Sequence, residues 1–354
     1  MRKIGVLTSG GDSPGMNAAI TAVALSAARR HAEAEIIGIK DGFKGLLGKS
    51  LSTSSNMDTL SGETILDIQA SPGTYLKTAR CEEFMLPLYQ QVAALNLLDL
   101  GIHDLVVIGG DGSFRGMNDL CRFGIRCVGI PATIDNDLPY TQFCIGFDTA
   151  LNCCVDAIRA VRATSRSHGR AHIVEAMGRD CGNIALYAAV AAGAEICLIP
   201  EIKWDLTHVA ARLKKLIDEG NKRVTIVLAE GAFQGNMVPF NVEKYLLAKG
   251  KQDLITQHGT KLTTSTLARI LRMMVPESDI RATVVGYTQR GLSPTAHDCI
   301  FAYEAADKAV SLLINNRSGR VIGQKNGKIF DMSISDALAA KPRFNKNMYS
   351  LVSL

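Results

Sequence analysis

Short apolar runs alternate along most of the chain with longer segments that have the 3.6-residue periodicity of helices. Helices are predicted at 85–100, 148–165, 206–219, 264–274 and 296–314. Such an alternation is typical of parallel sheets covered by helices. The pattern therefore predicts an α/β fold with mainly parallel sheets, whose strands lie at 4–8, 35–39, 104–108, 127–130, 172–176, 195–199, 224–229 and 281–286.

Glycine-rich turns follow the first and third of these predicted strands, at residues 9–15 and 109–116. Glycines at a strand-to-helix turn let backbone N–H groups approach an anion, which the helix N-terminus also attracts. The first turn lacks the GxGxxG spacing, so a tight turn is as good an interpretation as a phosphate cradle. In the second turn Asp111 lies between glycines, where its carboxylate can reach a magnesium ion, and Ser113 can cap the next helix.

Two carboxylates two residues apart, Asp135 and Asp137, follow the predicted strand at 127–130, with Thr133 and Asn136 beside them. In an open parallel sheet, ligands bind outside the carboxyl ends of the strands. A carboxylate there can accept a proton from a substrate hydroxyl or bind a metal ion. The alternative is a loop of turn-forming Asp and Asn residues that cap the next helix.

The second half of the chain repeats the arrangement of strand, glycine turn and helix. Met177-Gly178-Arg179 follows the predicted strand at 172–176, and Glu230 ends the strand at 224–229. One cluster of glycine turns precedes Ile134 and another follows Ala171. The sequence therefore predicts two similar lobes that face a cleft.

Composition narrows the class of protein. The chain has 354 residues, which favours two lobes over one core, and its net charge of +5 is too small to indicate nucleic-acid binding. The nine cysteines include no CxxC pair, so a disulfide framework or zinc site is not expected. No apolar run approaches the length of a membrane span, and no signal-peptide pattern precedes the first strand. We expect a cytoplasmic protein without a membrane or nucleic-acid partner.

Five motifs resemble those of one family, the 6-phosphofructokinases of the bacterial A type, and occur in the family's order over nearly the whole chain. They are residues 10–17 (Gly-Gly-Asp-Ser-Pro-Gly-Met-Asn), 109–113 (Gly-Gly-Asp-Gly-Ser), 133–137 (Thr-Ile-Asp-Asn-Asp), 177–179 (Met-Gly-Arg) and 289–291 (Gln-Arg-Gly).

This resemblance implies two Rossmann-like three-layer αβα lobes with the active site in the cleft between them, and a homotetramer. The nucleotide lobe would comprise 1–146 and about 289–340, and the sugar lobe 147–288 and about 341–354. It also implies transfer of a phosphoryl group from ATP, with Mg²⁺, to the 1-hydroxyl of fructose 6-phosphate, a step of glycolysis.

The resemblance also implies roles for individual residues. Asp135 matches the general base, Thr133 lies beside it, and Arg179 completes the catalytic set. Asp111 matches the magnesium residue. In the family, Arg170 and Arg281 reach the sugar phosphate from a neighbouring subunit. The other nucleotide positions are Gly11, Arg80, Cys81, Gly110, Gly112 and Ser113. The other sugar-phosphate positions are Met177, Gly178, Glu230, Tyr287 and Arg290.

Three departures from the family pattern leave questions open. Tyr287 stands where a histidine usually helps to hold the 6-phosphate, so another sugar phosphate, such as a seven-carbon one, is an alternative substrate. Arginines that bind effectors in regulated members are replaced at three positions, although Arg162 is retained. Residues 231–263 form a longer connection than in the short bacterial enzymes, and the sequence assigns it no role. The three replacements are Thr21, Leu25 and Gly62.

Two competing classes share most of these motifs. A pyrophosphate-dependent phosphofructokinase would carry an aspartate at position 112 and a lysine at position 132, where this chain has Gly112 and Ala132. A regulatory paralogue without activity would be expected to have lost Asp111, Asp135 or Arg179, and all three are present. The sequence therefore favours an active, ATP-dependent enzyme.

Overall fold

The computed structural model describes residues 2–48, 57–60, 62–235, 237–238, 240–252, 262–342 and 344–352. The chain folds into two compact units. The first comprises Met1–Ala150 and Arg290–Arg343, and the second comprises Leu151–Gln289 and Phe344–Leu354. The predicted α/β class with mainly parallel sheets is confirmed.

The strands within the described residues form two sheets. Their bounds are β1 Lys3–Thr8, β2 Glu35–Ile39, β3 Met57–Thr59, β4 Ile102–Gly109, β5 Arg126–Pro131, β6 Ala171–Ala176, β7 Ile196–Leu198, β8 Thr225–Ala229, β9 Ile280–Val284, β10 Arg320–Lys325 and β11 Lys328–Ser333. The first unit contains a sheet of order β11-β10-β5-β4-β1-β2-β3, in which only the outer pairs β10–β11 and β2–β3 are antiparallel. The second unit contains an all-parallel sheet of order β7-β8-β6-β9.

The helices of the described residues cover these sheets. Their bounds are α1 Met16–Arg30, α2 Gly42–Gly45, α3 Gly62–Ile68, α4 Pro87–Asp99, α5 Asp111–Arg122, α6 Phe147–His168, α7 Asn183–Ala192, α8 Leu206–Asp218, α9 Val242–Ala248, α10 Thr264–Met274, α11 Ala296–Ile314, α12 Ile334–Ala339 and α13 Lys346–Ser350. None of the helices in the described ranges is long and apolar enough to cross a membrane.

The central strands of the first unit are buried on both faces, which explains their nearly continuous apolar sequences. On one face the packed side chains include Ile4, Val6, Val106, Ile20 and Phe301. On the other face they include Leu7, Leu105, Val107, Phe114 and Met117. Full burial of such a side chain stabilises the fold by about 1.5–3 kcal/mol. The packed strands therefore fix the positions at which the loops at the carboxyl edge of the sheet begin.

The second unit has its own core between its parallel sheet and the helices α8 and α10. The packed side chains include Ile173, Ile226, Leu213, Leu271 and Trp204. Trp204 also donates its indole N–H to the carbonyl of Ala232 at 3.1 Å, so the polar atom of this buried ring has a partner.

β3 and α9 are among the elements that the sequence pattern does not predict. The polar composition of residues 50–62 predicts a loop, but their described part contains β3, a three-residue antiparallel strand at the sheet edge. Such a strand is too short to show a period-2 pattern. The connection at 231–263 contains α9, which Asn241 caps by accepting a hydrogen bond from Lys244 N at 2.7 Å. Residues 253–261 of that connection lie outside the described residues.

Candidate active site

Three loops of the first unit meet at the carboxyl edge of its sheet. Ser9 N donates to Ile108 O at 3.0 Å, and Ala132 N donates to Gly109 O at 3.0 Å. A β-carbon at position 109 would lie 2.5 Å from both Ser9 O and Ser113 Oγ, so only glycine fits here. The first glycine turn, the second glycine turn and the loop after β5 are therefore packed directly against one another.

Ile145 ties the first and third of these loops together. Its carbonyl accepts from Ser13 Oγ at 2.6 Å and from Thr133 N at 3.1 Å, and its N–H donates to Pro131 O at 3.0 Å. Asp135 N donates to Thr133 Oγ1 at 3.2 Å, and Asp135 is half-buried. The hydroxyl of Thr133, which is also a predicted site residue, thus holds the backbone of the predicted base Asp135.

A carboxylate on the helix α11 is hydrogen-bonded to the same region. Asp298 is 1% exposed, and its carboxylate accepts from Gly146 N at 2.9 Å, Thr149 N at 2.8 Å and Thr149 Oγ1 at 2.6 Å. Burial raises the pKa of Asp298, while these hydrogen bonds favour its ionised form. Asp298 therefore anchors the start of α6 next to the loop that carries Asp135, and the sequence analysis did not predict it.

Asp111 is the first residue of α5 and lies on the loop next to Thr133. A β-carbon at Gly110 would be 3.8 Å from Thr133 Cβ, which places the second and third loops in contact. The Asp111 carboxylate pairs with Arg115, at 2.8 Å from Oδ2 to Nε and 3.4 Å from Oδ1 to Nη2. Both side chains are exposed, at 44% and 62%. Only the spacing of four residues on a helix, with an acid before a base, pointed to this pair in the sequence.

A β-carbon built at Gly112 would meet no heavy atom of the described residues within 4 Å. The packing of the protein does not by itself require glycine at this position, in contrast to Gly109. The role of Gly112 in binding the nucleotide stays a prediction.

The predicted nucleotide residues Arg80 and Cys81 follow a segment that is bonded to the first glycine turn. Thr78 Oγ1 donates to Gly10 O at 2.7 Å. Arg80 is exposed, and Cys81 is half-buried with its sulfur 3.6 Å from Glu83 Oε2. Burial raises the pKa of the Cys81 thiol, so it is not an activated nucleophile. The structure thus brings this segment to Gly10.

Arg290 contacts the first glycine turn. Its Nη1 donates to Asp12 O at 3.0 Å and lies 3.4 Å from Asp12 Oδ1. A β-carbon at Gly11 would be 2.3 Å from the same Nη1, so a side chain at position 11 would displace the guanidinium. The role of Arg290 as a clamp on the 6-phosphate stays a prediction.

In the second unit, the segments that follow β6 and β8 bring together Met177, Gly178, Arg179 and Glu230. Glu230 Oε1 accepts from Gly178 N at 3.2 Å and Arg179 N at 2.7 Å. Arg179 has a left-handed φ of 53°, which is strained for a residue other than glycine. Its side chain is 81% exposed. Glu230 therefore holds the Arg179 loop in an unusual conformation, a contribution that the motif alone did not indicate.

Arg170 and Arg281 lie near the amino ends of the strands in the same sheet, whereas Met177 and Glu230 follow the carboxyl ends. Arg170 comes directly before β6 and Met177 directly after it, so roughly 20 Å of strand separates them. Arg281 is the second residue of β9, and both arginines pair with Asp279. Tyr287 follows β9 in a 3₁₀ turn and is 82% exposed. Within the second unit, the pair Arg170 and Arg281 is thus separate from the group of Met177, Gly178, Arg179 and Glu230.

The four positions at which regulated members carry effector-binding arginines are occupied in this chain by Thr21, Leu25, Gly62 and Arg162. Thr21 is buried, and its Oγ1 donates to Ile65 O at 2.5 Å. Arg162 forms a bidentate ion pair with Glu195, at 2.9 and 3.1 Å. Leu25 is 39% exposed, and Gly62 has a left-handed φ of 64°. The retained arginine is therefore already held by a carboxylate of its own unit.

The comparisons with known proteins identify the class of protein that this fold and these loops define. Residues 3–313 match the family model described as phosphofructokinase. The chain belongs to the phosphofructokinase family, and the resemblance seen in the sequence is confirmed.

Relatives of known name extend over the whole chain. An ATP-dependent 6-phosphofructokinase of Clostridium tetani is 42% identical over 351 residues, which are 99% of this chain and 98% of that protein. One from Clostridioides difficile is 43% identical over 354 residues, 100% of this chain and 99% of that protein. The solved structure of phosphofructokinase from Saccharomyces cerevisiae matches with a TM-score of 0.76 and 29% identity. It covers 96% of this chain and 45% of that chain.

Proposed function

We propose that this protein is an ATP-dependent 6-phosphofructokinase, which transfers the terminal phosphoryl group of ATP to the 1-hydroxyl of fructose 6-phosphate in glycolysis. The observation that carries the proposal is the meeting of the three loops at Ser9, Gly109 and Ala132. The loops combine backbone N–H groups with two carboxylates at the sheet edge where ligands bind. Full-length similarity to enzymes of this name supports the same substrates.

Asp135 would act as the general base. Phosphoryl transfer depends mainly on positioning and charge neutralisation, and one carboxylate suffices to accept the proton of the attacking hydroxyl. The hydrogen bond from Asp135 N to Thr133 Oγ1 fixes the backbone that carries this carboxylate. Arg179, whose side chain extends into solvent, would supply positive charge to the transferring group.

Asp111 fits the binding of Mg²⁺ that arrives with a nucleotide. Mg²⁺ usually keeps several waters and takes one or two carboxylates plus substrate phosphates. In the described part of the chain, no group of three or more His, Cys, Asp or Glu side chains is arranged to hold a metal ion. An exposed, single carboxylate at the start of α5 suits such shared coordination. When bound, Mg²⁺ would offset the charge of the phosphates, and Arg115 would have to release Asp111.

The two groups of sugar-phosphate residues support a site shared between subunits of a homotetramer. Met177, Gly178, Arg179 and Glu230 would bind the sugar in one subunit. Arg170 and Arg281 would bind its 6-phosphate from the partner subunit, since a strand's length separates the groups in one chain. We also assign the nucleotide to the first unit and the sugar to the second, and we place the enzyme in the cytoplasm.

The test of the proposed function is a coupled assay of the purified protein with two donors, ATP and pyrophosphate, at equal magnesium. The acceptors are fructose 6-phosphate and a seven-carbon sugar phosphate. We expect the highest kcat/KM with ATP and fructose 6-phosphate. Faster turnover with pyrophosphate, or with the seven-carbon acceptor, would replace the proposal with the corresponding alternative.

Replacement of Gly112 by aspartate is expected to lower turnover with ATP at least tenfold, about 1.4 kcal/mol in the barrier. The new carboxylate would project into the open space beside Asp111 and repel the phosphates. Steady-state kinetics with ATP measure the effect, and Gly112→Ala, which adds only a methyl group, is the matched control. Wild-type ATP kinetics in Gly112→Asp would contradict the placement of the nucleotide.

Control by the anionic effectors of the bacterial enzymes is expected to be weak. Thr21, Leu25 and Gly62 supply no cation, and Arg162 is already paired with Glu195. An anion without charge-assisted partners loses most of its attraction. Phosphoenolpyruvate and ADP should therefore shift the half-saturation for fructose 6-phosphate by less than about twofold. A large shift with either compound would show that other residues bind the effector.

A further inference from the structure

Asp279 lies between two arginines that the proposed function assigns to the 6-phosphate. Its Oδ2 forms an ion pair with Arg170 Nε at 2.8 Å, and it accepts hydrogen bonds from Arg281 Nη2 at 3.0 Å and from Arg281 Nε at 3.2 Å. We propose that Asp279 is a positioning residue of the phosphate site, which holds both guanidiniums in one orientation so that they bind the same phosphate. This inference rests on the proposed function.

The backbone places Asp279 firmly. It comes directly before β9, and Arg170 comes directly before β6, the parallel neighbour of β9. Ala171 N donates to Asp279 O at 3.2 Å, so the two strand starts are bonded to each other. His172 and Arg281 are partners in the strand register. A carboxylate held by two strand starts can fix its neighbours more accurately than one on a loop.

The charges require such a residue. Arg170 and Arg281 both form ion pairs with Asp279 Oδ2, so their like charges are close, and Arg272 contributes a third positive charge nearby. Burial acts to raise the pKa of Asp279, but the hydrogen bond from Arg281 and the charges of the three arginines outweigh it. The net pKa lies below its usual range, and the carboxylate is ionised at neutral pH. Without it, the two guanidiniums would repel each other and separate.

Both arginines keep donors for a ligand. A guanidinium has five N–H donors, and Asp279 faces one nitrogen of Arg170 in an ion pair and accepts two hydrogen bonds from Arg281. The two side chains are 39% and 51% exposed. Phosphate prefers paired N–H donors in a fixed fork. Asp279 thus orients both groups without using up their capacity to bind phosphate.

The variant Asp279→Asn tests the inference. It keeps the shape, removes the charge and presents an amide that can turn N–H groups toward the arginines. We expect the KM for fructose 6-phosphate to rise about tenfold while kcat changes less than about twofold, because Asp279 does not touch the reacting atoms. The matched control is Asp331→Asn in the first unit, where the carboxylate also binds several cations, with Arg320 at 2.7 Å and Lys308 at 3.1 Å. This control should leave the KM unchanged.

A double variant separates positioning from general stability. If Asp279 acts through Arg281, then Arg281→Ala with Asp279→Asn should have the KM of Arg281→Ala alone. Asp279→Glu, which retains the charge but moves it by one methylene, should have an intermediate KM. If Asp279→Asn does not fold, this glutamate variant decides the test.

Three results would overturn the role of Asp279. The first is a KM for fructose 6-phosphate in Asp279→Asn that equals or falls below the wild-type value; a lower KM would mean that the carboxylate only competes with phosphate. The second is a double variant in which the two effects on the KM are fully additive. The third is an equal rise of the KM in Asp331→Asn. A wild-type KM in Asp279→Glu would overturn it where only that variant folds. A wild-type protein that does not phosphorylate fructose 6-phosphate would instead overturn the proposed function itself.

Discussion

The variant Asp135→Asn is expected to turn over at least about a hundredfold more slowly than the wild type, since general base catalysis contributes roughly 10²–10⁴-fold. Asparagine has nearly the same shape and can still accept the hydrogen bonds of a sugar hydroxyl, but it cannot take its proton. The hydrogen bond from the backbone N–H of residue 135 to Thr133 Oγ1 does not involve the side chain of residue 135 and should persist. Single-turnover kinetics measure the loss, and equilibrium binding should show that fructose 6-phosphate still binds.

Asp137 offers a matched control for this variant. It lies on the same loop two residues further along and is exposed, whereas Asp135 is half-buried. Asp137→Asn removes the same charge from the same loop, so it measures how much of the loss in kcat follows from the charge of the loop alone. A loss of less than tenfold in Asp135→Asn, or an equal loss in the two variants, would reject Asp135 as the base.

The buried centre of the fold could be predicted from the sequence because its strands are buried on both faces. β1, β4, β5 and β8 appear as continuous apolar runs, and the structure places each of them within a residue or two of the prediction. The prediction was wrong for β3 at the edge, where three residues carry no periodicity. It also missed α9, whose short length and charged residues Glu243 and Lys244 hide the apolar positions Val242 and Leu246.

The candidate site could be predicted only in part, for a different physical reason. Motifs reveal residues that are close in sequence, such as the glycine turns and the loop of Asp135. Contacts between distant residues leave no local pattern. Ser13 with Ile145, Glu230 with the Arg179 loop, and Asp279 with Arg170 are of this kind. These contacts shape the backbone and orient charge, so they decide how accurately the motif residues are held.

Glu230 illustrates the difference. The resemblance assigned it to the sugar, and the structure shows that one of its oxygens accepts two backbone N–H groups of the Gly178–Arg179 loop. These roles are compatible, because a carboxylate has two oxygens and about four acceptor sites. A glutamate that holds Arg179 in a left-handed conformation also fixes the backbone from which this predicted catalytic side chain extends.

Mixed oligomers are expected to regain activity from two inactive chains, one with Arg281→Ala and one with Asp135→Asn. If Arg281 of the partner subunit completes each site, a mixed pair contains one intact site and one that lacks both groups. Random pairing of equal amounts should then restore about a quarter of the wild-type sites, assuming two-fold related, isologous contacts. Co-expression with two affinity tags isolates the mixed oligomers, and the assay is run at a fructose 6-phosphate concentration where Arg281→Ala alone is inactive.

A second mixture makes the test decisive, with wild-type chains and chains that carry both substitutions. With shared sites, every mixed pair has two broken sites, so equal amounts should retain about a quarter of the activity. With sites confined to one chain, the second mixture would retain about half and the first would recover nothing. The strand that separates Arg170 from Met177 favours the shared arrangement, because its length of roughly 20 Å is too great for one small phosphorylated sugar to contact both ends.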